Sequence, residues 1–200
     1  MIKILDTPGF LLTKKTANIL RLNAAPELIT PCLEEAKDKR DAGEFRLSRG
    51  YNEAGQAIRL PRSRRGTHQA HVGYGVVKLN MWLKPILNEY ASSNFFCEGK
   101  VLVKTQDYYL WYDPGFGISL HADDSTNGSS DYHRVITILI YLNSDYEGGE
   151  INFPSHELTI KPIPGETLIF PSNRLFKHEV FPIISGERFA IMQTWNLVNP

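Results

Sequence analysis

The chain has 200 residues, with 22 Lys and Arg against 22 Asp and Glu, so its formal net charge at pH 7 is zero. That length supports a single domain with a buried core, and the balance argues against a partner held chiefly by charge, such as duplex nucleic acid or an anionic membrane. Cys32 and Cys97 lie far apart with no Cys-x-x-Cys spacing, which fits reduced thiols in a cytoplasmic protein; no apolar run approaches a spanning helix, and the apolar stretch of "MIKILDTPGF" is too short for a signal peptide.

Helical patterning dominates the first half. The segments "LLTKKTANILRL" (11–22), "ELITPCLEEAKDKRD" (27–41) and "GVVKLNMWLKPILNEYASS" (75–93) carry apolar residues at mixed three- and four-residue spacing, the last despite Pro85, and predict helices. Between the second and third lies "GEFRLSRGYNEAGQAIRLPRSRRGTHQ", rich in Gly, Arg and polar residues, which predicts a long loop or a hairpin. Its tract "RLPRSRRGTH" (59–68) is the one basic patch of the chain. His68 and His71 are expected on a solvated loop, since no third ligand lies near them in the sequence.

After residue 100 the period changes to two. The runs "KVLVK", "DYYLWY", "GISLHA", "RVITILIYLN", "GEINFP", "ELTIKP", "ETLIFP", "HEVFPII" and "RFAIMQTWNLV" are β-branched and aromatic, and turn signals such as "DYEGGE", "PIPGE" and "ISGER" separate them. Short strands at this spacing predict an antiparallel sandwich or barrel, with the helical half packed outside one sheet. His133 and His156 flank strand ends and are expected at the surface.

One constellation in this second half carries chemistry. His121 and Asp123, in "SLHADDST", stand two apart at the end of a predicted strand, where i and i+2 share a face and can aim at one point. Two ligands do not hold a metal, and His178, in "FKHEVFP", can supply the third. Two neutral histidines and one carboxylate on one face of an octahedral metal leave three adjacent positions open, the arrangement of non-haem Fe(II) oxygenases, and those positions accept a bidentate 2-oxo acid and then dioxygen. Ten residues after His178, Arg188 opens the next strand, and its guanidinium can receive the far carboxylate of such an acid through a two-pronged pair.

The segments "YDPGFGISLHADDS", "ITILIYLNSDYEGGEINFP" and "IKPIPGETLIFPSNRLFKHEVFPIISGERFAIMQTW" resemble, in order and spacing, the catalytic core of the prolyl 4-hydroxylase branch of the Fe(II)/2-oxoglutarate-dependent dioxygenases. The resemblance implies an α+β, mainly β fold: a double-stranded β-helix (jelly roll) over residues 100–200, with residues 1–99 as helical support packed on one sheet of a single domain. It implies that His121, Asp123 and His178 are the iron ligands, that Arg188 anchors 2-oxoglutarate, and that Tyr112 and Tyr141 line the co-substrate pocket. By strand parity Val135, Thr137, Leu139 and Tyr141 share one face. Family members often carry a tryptophan six residues after the anchoring base. Here Trp195 comes seven after Arg188, so without a bulge it points outward and Thr194 takes the inward place.

The implied reaction is hydroxylation of a C–H bond, with Fe(II), 2-oxoglutarate and dioxygen as reactants and ascorbate as a supporting reductant. The presence of Asp123, where related halogenases have a small residue, favours hydroxylation over halogenation. The implied substrate is a prolyl residue in a peptide or protein. Trp111 is a candidate contact, and Arg62 and Arg65 belong to a tract placed where prolyl hydroxylases carry a lid. The alternatives are hydroxylation of a free amino acid or small metabolite, and a non-catalytic jelly-roll binding protein. No nucleic acid and no membrane is expected as a partner.

Overall fold

In a computed structural model of the chain, the described residues are 10–16, 18–47, 50–51, 57–58, 67–95, 99–124 and 135–200. In chain order the elements are β1 (Phe10–Thr16), β2 (Ile19–Ala24), α1 (Pro26–Asp41), β3 (Arg46–Leu47), β4 (Gly50–Tyr51), β5 (Ala57–Ile58), β6 (His68–His71), α2 (Val77–Asn94), β7 (Val101–Tyr112), β8 (Ile118–His121) and β9 (Ile136–Tyr141). There follow β10 (Tyr146–Gly148), β11 (Ile151–Phe153), β12 (Leu158–Ile160), β13 (Glu166–Pro171), β14 (His178–Val180), β15 (Ile183–Gly186) and β16 (Arg188–Val198).

The longest apolar runs make the centre of the molecule. "ITILIY" in β9 and "ETLIFP" in β13 are buried on both faces, as strands sandwiched between two apolar layers must be. They lie inside an eight-stranded sheet of order β1-β2-β13-β9-β16-β7-β6-β3. A four-stranded sheet, β12-β11-β14-β8, and the pair β10-β15 complete the jelly roll. Alternation divides β9 between two cores. Ile136, Ile138 and Ile140 pack with Leu28, Leu79 and Leu83 of the helices, whereas Leu139 and Tyr141 join Phe153, Phe170 and Val180 between the sheets. The helical layer therefore covers one face of the large sheet, and the other face is left to build a site.

Residues 27–41 and 75–93 are helical as their spacing predicts, in α1 and α2, with a 3-10 turn over Tyr74–Val76 leading into α2. Residues 11–22 are not helical. They form the hairpin β1–β2, with Asn18 in the left-handed conformation at φ 67°, a geometry Asn tolerates better than most residues. The short run "ILRL" fits either period, and tertiary pairing decides: β2 lines up along β13, with Leu22 opposite Thr167 and Leu20 opposite Ile169. Ile19 enters one core while Leu20 and Leu22 enter the other, as strand alternation requires. His68 and His71 are likewise not on a solvated loop. They belong to β6, which pairs with β7, and their rings lie against Trp111 and Tyr108. "DYEGGE", predicted as a turn, contributes β10.

Glu35 fixes α1 to the sheet. Its Oε2 accepts the Tyr109 hydroxyl proton at 2.8 Å and the Gly75 backbone N–H at 2.7 Å. Beside it Cys32 is a buried free thiol whose pKa burial and the Glu35 carboxylate push up to about 12. At the other end of α1, Arg40 pairs with Glu187, which also accepts the Trp111 indole N–H at 2.9 Å. Replacing Glu35 by Ala strips two inward donors of their acceptor. An unfolding free energy lower by about 3 kcal/mol is expected from urea denaturation, with the Cys32 peptide becoming alkylated at lower denaturant than in the parent protein.

Candidate active site

Strands β8 and β14 run antiparallel with His121 opposite His178, and their ring centroids are 4.4 Å apart. Asp123 lies just beyond the end of β8, so strand alternation is not what aims it. Its carboxylate accepts a hydrogen bond from Thr137 Oγ1 at 2.8 Å, and the next residue, Asp124, is tied by its N–H to the Ser172 carbonyl at 2.9 Å. The result is the expected cluster. Asp123 Oδ1 is 3.4 Å from His121 Nε2, Oδ2 is 3.7 Å from His178 Nε2, and one ligand atom from each residue lies within 4.8 Å of the others.

The tautomers follow from the partners. His121 Nδ1 is 2.9 Å from the Ser119 carbonyl and His178 Nδ1 is 3.1 Å from the Phe176 carbonyl. A carbonyl can only accept, so both Nδ1 atoms carry a proton and both Nε2 atoms face Asp123. Burial pushes the His178 pKa down to about 4, so its ring is neutral at ordinary pH. Burial disfavours the charged form of Asp123, but His178, His121 and Thr137 outweigh it and hold the carboxyl well below its usual range. Burial works against the charged form of His121, but its hydrogen bond to Asp123 and the carboxylate charge outweigh that and raise its pKa, so the two Nε2 atoms and the carboxylate converge on one point and a cation there would displace a proton from His121. That donor set is complementary to a divalent cation, and the two Nδ1–carbonyl bonds are the outer contacts that orient metal-binding histidines.

Arg188 begins β16 opposite Tyr112 of β7. It is 2% exposed, with Nη1 donating to the Gly149 carbonyl at 2.6 Å and its guanidinium carbon 4.0 Å from the centre of the Tyr112 ring. Gly149 has φ 69°, and a Cβ there would run into Ile183 and approach Arg188, so this close passage needs glycine. Among the described residues, Arg188 Nε and the hydroxyls of Tyr141 and Tyr146 are buried without hydrogen-bond partners. Burial keeps both tyrosines protonated against the opposing charge of Arg188, so each can donate. Buried polar groups are normally satisfied. Three unmet donors gathered round one buried cation fit a ligand carrying an anionic carboxylate. The residues present therefore suit both groups that the resemblance implies: iron on His121, Asp123 and His178, and the distal carboxylate of 2-oxoglutarate on Arg188 with Tyr141 and Tyr146.

Tyr112, Tyr141 and Arg188 are brought together as the sequence predicts. Tyr146 was missed because "DYEGGE" reads as a turn, although an aromatic residue just ahead of two glycines is itself an anomaly in a solvated turn. Trp111 is not brought to the site: it is adjacent to Tyr112 on one strand and so faces the helical layer, against Phe45 and bonded to Glu187. Arg62 and Arg65, with most of the proposed lid, lie outside the described residues, as does His133. Thr194 is buried and faces Thr105, with their hydroxyl oxygens 2.8 Å apart. Trp195 packs outward as parity predicts. A bulge does occur between Thr194 and Trp195 in the pairing with β7, but the pairing with β9 is continuous, so the extra residue is on β7 and the parity of β16 survives. Val135, just ahead of β9, packs with the helical-side core and departs from the shared face, whereas Thr137, Leu139 and Tyr141 keep it.

A jelly roll with a His-Asp-His cluster beside a buried arginine defines the class of Fe(II) oxygenases that take a 2-oxo acid. Residues 107–195 match the 2OG-Fe(II) oxygenase superfamily over the stretch that holds all four groups. Over 85 residues the chain is 32% identical to the "Putative prolyl 4-hydroxylase" of Acanthamoeba polyphaga mimivirus, covering 36% of this chain and 35% of that protein. The match thus spans about a third of that relative's length. Among solved structures, a Pseudomonas putida prolyl-4-hydroxylase superposes with TM-score 0.70 at 17% identity, over 90% of this chain and 92% of that one. The viral collagen prolyl hydroxylase of Paramecium Bursaria Chlorella virus-1, in complex with 2OG, gives 0.65 at 18% identity over 89% and 94%. The Trichoplax adhaerens prolyl hydroxylase in complex with a hypoxia inducible factor peptide fragment gives 0.64 at 24% identity over 96% and 84%.

Substituting Asp123 or His178 by Ala is expected to abolish measurable Fe(II) binding in anaerobic calorimetry. Arg188→Met is expected to leave Fe(II) binding intact, because the guanidinium is not among the three converging ligands.

Proposed function

We propose that this protein is an Fe(II)- and 2-oxoglutarate-dependent dioxygenase that hydroxylates a prolyl residue of a peptide or protein. The observation that carries the reading is Arg188: a fully buried guanidinium with no carboxylate partner among the described residues, on a ring, that of Tyr112, which also feels the Asp123 carboxylate of the His-Asp-His cluster. An uncompensated buried cation is costly, and a co-substrate carboxylate removes that cost when it binds. The likeness to the mimiviral protein supports prolyl hydroxylation, as does the fold shared with three prolyl hydroxylases.

The metal, 2-oxoglutarate and dioxygen would together supply the oxidising chemistry, in which one oxygen atom of dioxygen is taken up as 2-oxoglutarate becomes succinate and carbon dioxide and the other is inserted into a C–H bond. The chain's own groups bind, orient and exclude. His121 and His178 would hold the metal through their Nε2 atoms and Asp123 through its carboxylate. Arg188, Tyr141 and Tyr146 hold the distal carboxylate of the co-substrate away from the metal ligands, and Tyr112 walls the guanidinium with its ring. Phe153 and Phe170 pack on the His178 ring at centroid distances of 5.3 and 5.1 Å and keep water from its far side. The buried, unpaired Cys32 supports the expectation of a reducing, cytoplasmic setting.

The decisive experiment incubates the protein with Fe(II), 2-oxoglutarate, ascorbate and either proline-containing peptides or free amino acids, and reads the gain of one oxygen by mass spectrometry. Oxygen gained on peptidyl proline is expected; oxygen gained on free amino acids alone would overturn the peptide assignment. Without oxygen, Fe(II) and 2-oxoglutarate together should give a weak visible charge-transfer band. Arg188→Met should raise the KM for 2-oxoglutarate on the order of 100-fold, the cost of truncating one side of a buried charge pair.

A further inference from the structure

Arg188 lies where β16 has lost one of its two neighbouring strands. On one side it pairs with Tyr112 of β7. On the other, the pairing with β9 runs from Trp195 only as far as Ala190, opposite Tyr141, and the next main-chain bond on that side is the Leu142 N–H to the Phe189 carbonyl at 3.0 Å. Beyond it the chain leaves β9 for the turn that leads to β10.

The side chain of Asn143 takes the missing strand's place. Its Oδ1 accepts the Phe189 N–H at 2.7 Å, and its Nδ2 donates to the Glu187 carbonyl at 2.7 Å. These groups belong to the residues on either side of Arg188. A backbone N–H can only donate and a carbonyl can only accept, so the amide has a single orientation. Its second N–H goes to the Asp145 carboxylate, and the residue is 5% exposed. The carboxamide thus does what a facing peptide does in an antiparallel ladder, offering one donor and one acceptor to the same strand edge.

The same clasp joins the other donors to the arginine. Asn143 stands two residues after Tyr141, and Asp145 immediately precedes Tyr146, whose register partner in β15 is Gly186. Gly186 has φ 74°, and a Cβ there would run into the Asp145 carbonyl, so the turn after β9 and the junction before β16 lie in contact. The segment that carries the Tyr141 and Tyr146 hydroxyls is thereby fastened to β16 at the residue before Arg188 and at the residue after it.

We propose that Asn143 is a positioning residue for the co-substrate: by holding the peptide groups on both sides of Arg188, it sets the guanidinium against the Tyr141 and Tyr146 hydroxyls so that all three meet the distal carboxylate together. The inference rests on the reading of Arg188 as the 2-oxoglutarate anchor and goes beyond it in naming what aims the anchor. Among the described residues Asn143 bonds to Phe189, Glu187 and Asp145 and to none of His121, Asp123 and His178. Its loss is therefore felt at the distal carboxylate and not at the metal.

The test is anaerobic calorimetry on the full chain. Fe(II) is titrated first, then 2-oxoglutarate or 2-oxobutanoate, which shares the chelating 2-oxo acid end and lacks the distal carboxylate. Asn143→Leu removes all three bonds; Asn143→Asp keeps the shape and the acceptor but loses both donors, and carries the test if the Leu variant does not fold. Arg188→Met in the same assay sets the scale of a lost anchor, and thermal melts confirm folding. Both Asn143 variants are expected to bind 2-oxoglutarate about 10-fold more weakly, the scale of one net hydrogen bond, with the affinities for Fe(II) and 2-oxobutanoate unchanged. Parent-like 2-oxoglutarate affinity in both variants would overturn the proposal, as would an equal loss for the two acids, which would mark Asn143 as a packing residue. A parent protein that binds 2-oxoglutarate no better than 2-oxobutanoate would instead overturn the anchor reading beneath it, and this inference with it.

Discussion

The register of β16 is the constraint on which the site depends. This strand pairs with β7 from Arg188 to Val198 and with β9 from Ala190 to Trp195, so it has no freedom to slide. Because side chains alternate, a slip of one residue would turn Arg188 toward the helices and bring Phe189 into the co-substrate chamber. Near its C-terminal end β16 meets β7 out of step by one residue, and the bulge falls on β7 beside Thr105. The pairing with β9 is unbroken. Arg188, Thr194 and Tyr141 thus keep their facing even though the neighbouring strand does not keep pace.

The chamber has a chemical polarity along the sheet. At one end stand lone pairs: two imidazole nitrogens and a carboxylate. At the other stand donors: a guanidinium and tyrosine hydroxyls. Among the described residues the buried positive and negative groups are not spent on one another: Asp123 lies with His121, His178 and Thr137, while Arg188 donates to the Gly149 carbonyl and lies over the Tyr112 and Tyr141 rings. Such an arrangement destabilises the empty fold. It is complementary to a cation at one end and an anion at the other.

Much of this was legible in the sequence. Two histidines, an aspartate and an arginine at this order and spacing point to metal ligands and a carboxylate anchor, because those roles demand particular functional groups, and the structure gathers the first three at one point. Tyr112 and Tyr141 came with the strand pattern around them. Parity also decides Trp111: if Tyr112 faces inward, its neighbour on the same strand must face outward. What could not be read depended on contacts distant in the chain. Thr137 and Ser172 are ordinary small polar residues whose importance arises only when β9 and β13 are side by side, and Tyr146 gains its meaning from β10 lying beside Arg188. The hairpin at 11–22 was misread because a four-residue apolar run carries too little period to separate helix from strand, and the edge of β13 made the choice.

Glu187 and Arg188 are consecutive residues with opposite destinations. Glu187 reaches out to Arg40 on α1 and to the Trp111 indole, while Arg188 turns into the chamber. Arg188 is therefore bolted, through its neighbour, to the first helix among the described residues. Stripping the helices from the sheet would lay bare Ile138, Ile140, Phe189 and Ile191 on its outer face and unfasten β16 at the residue before Arg188.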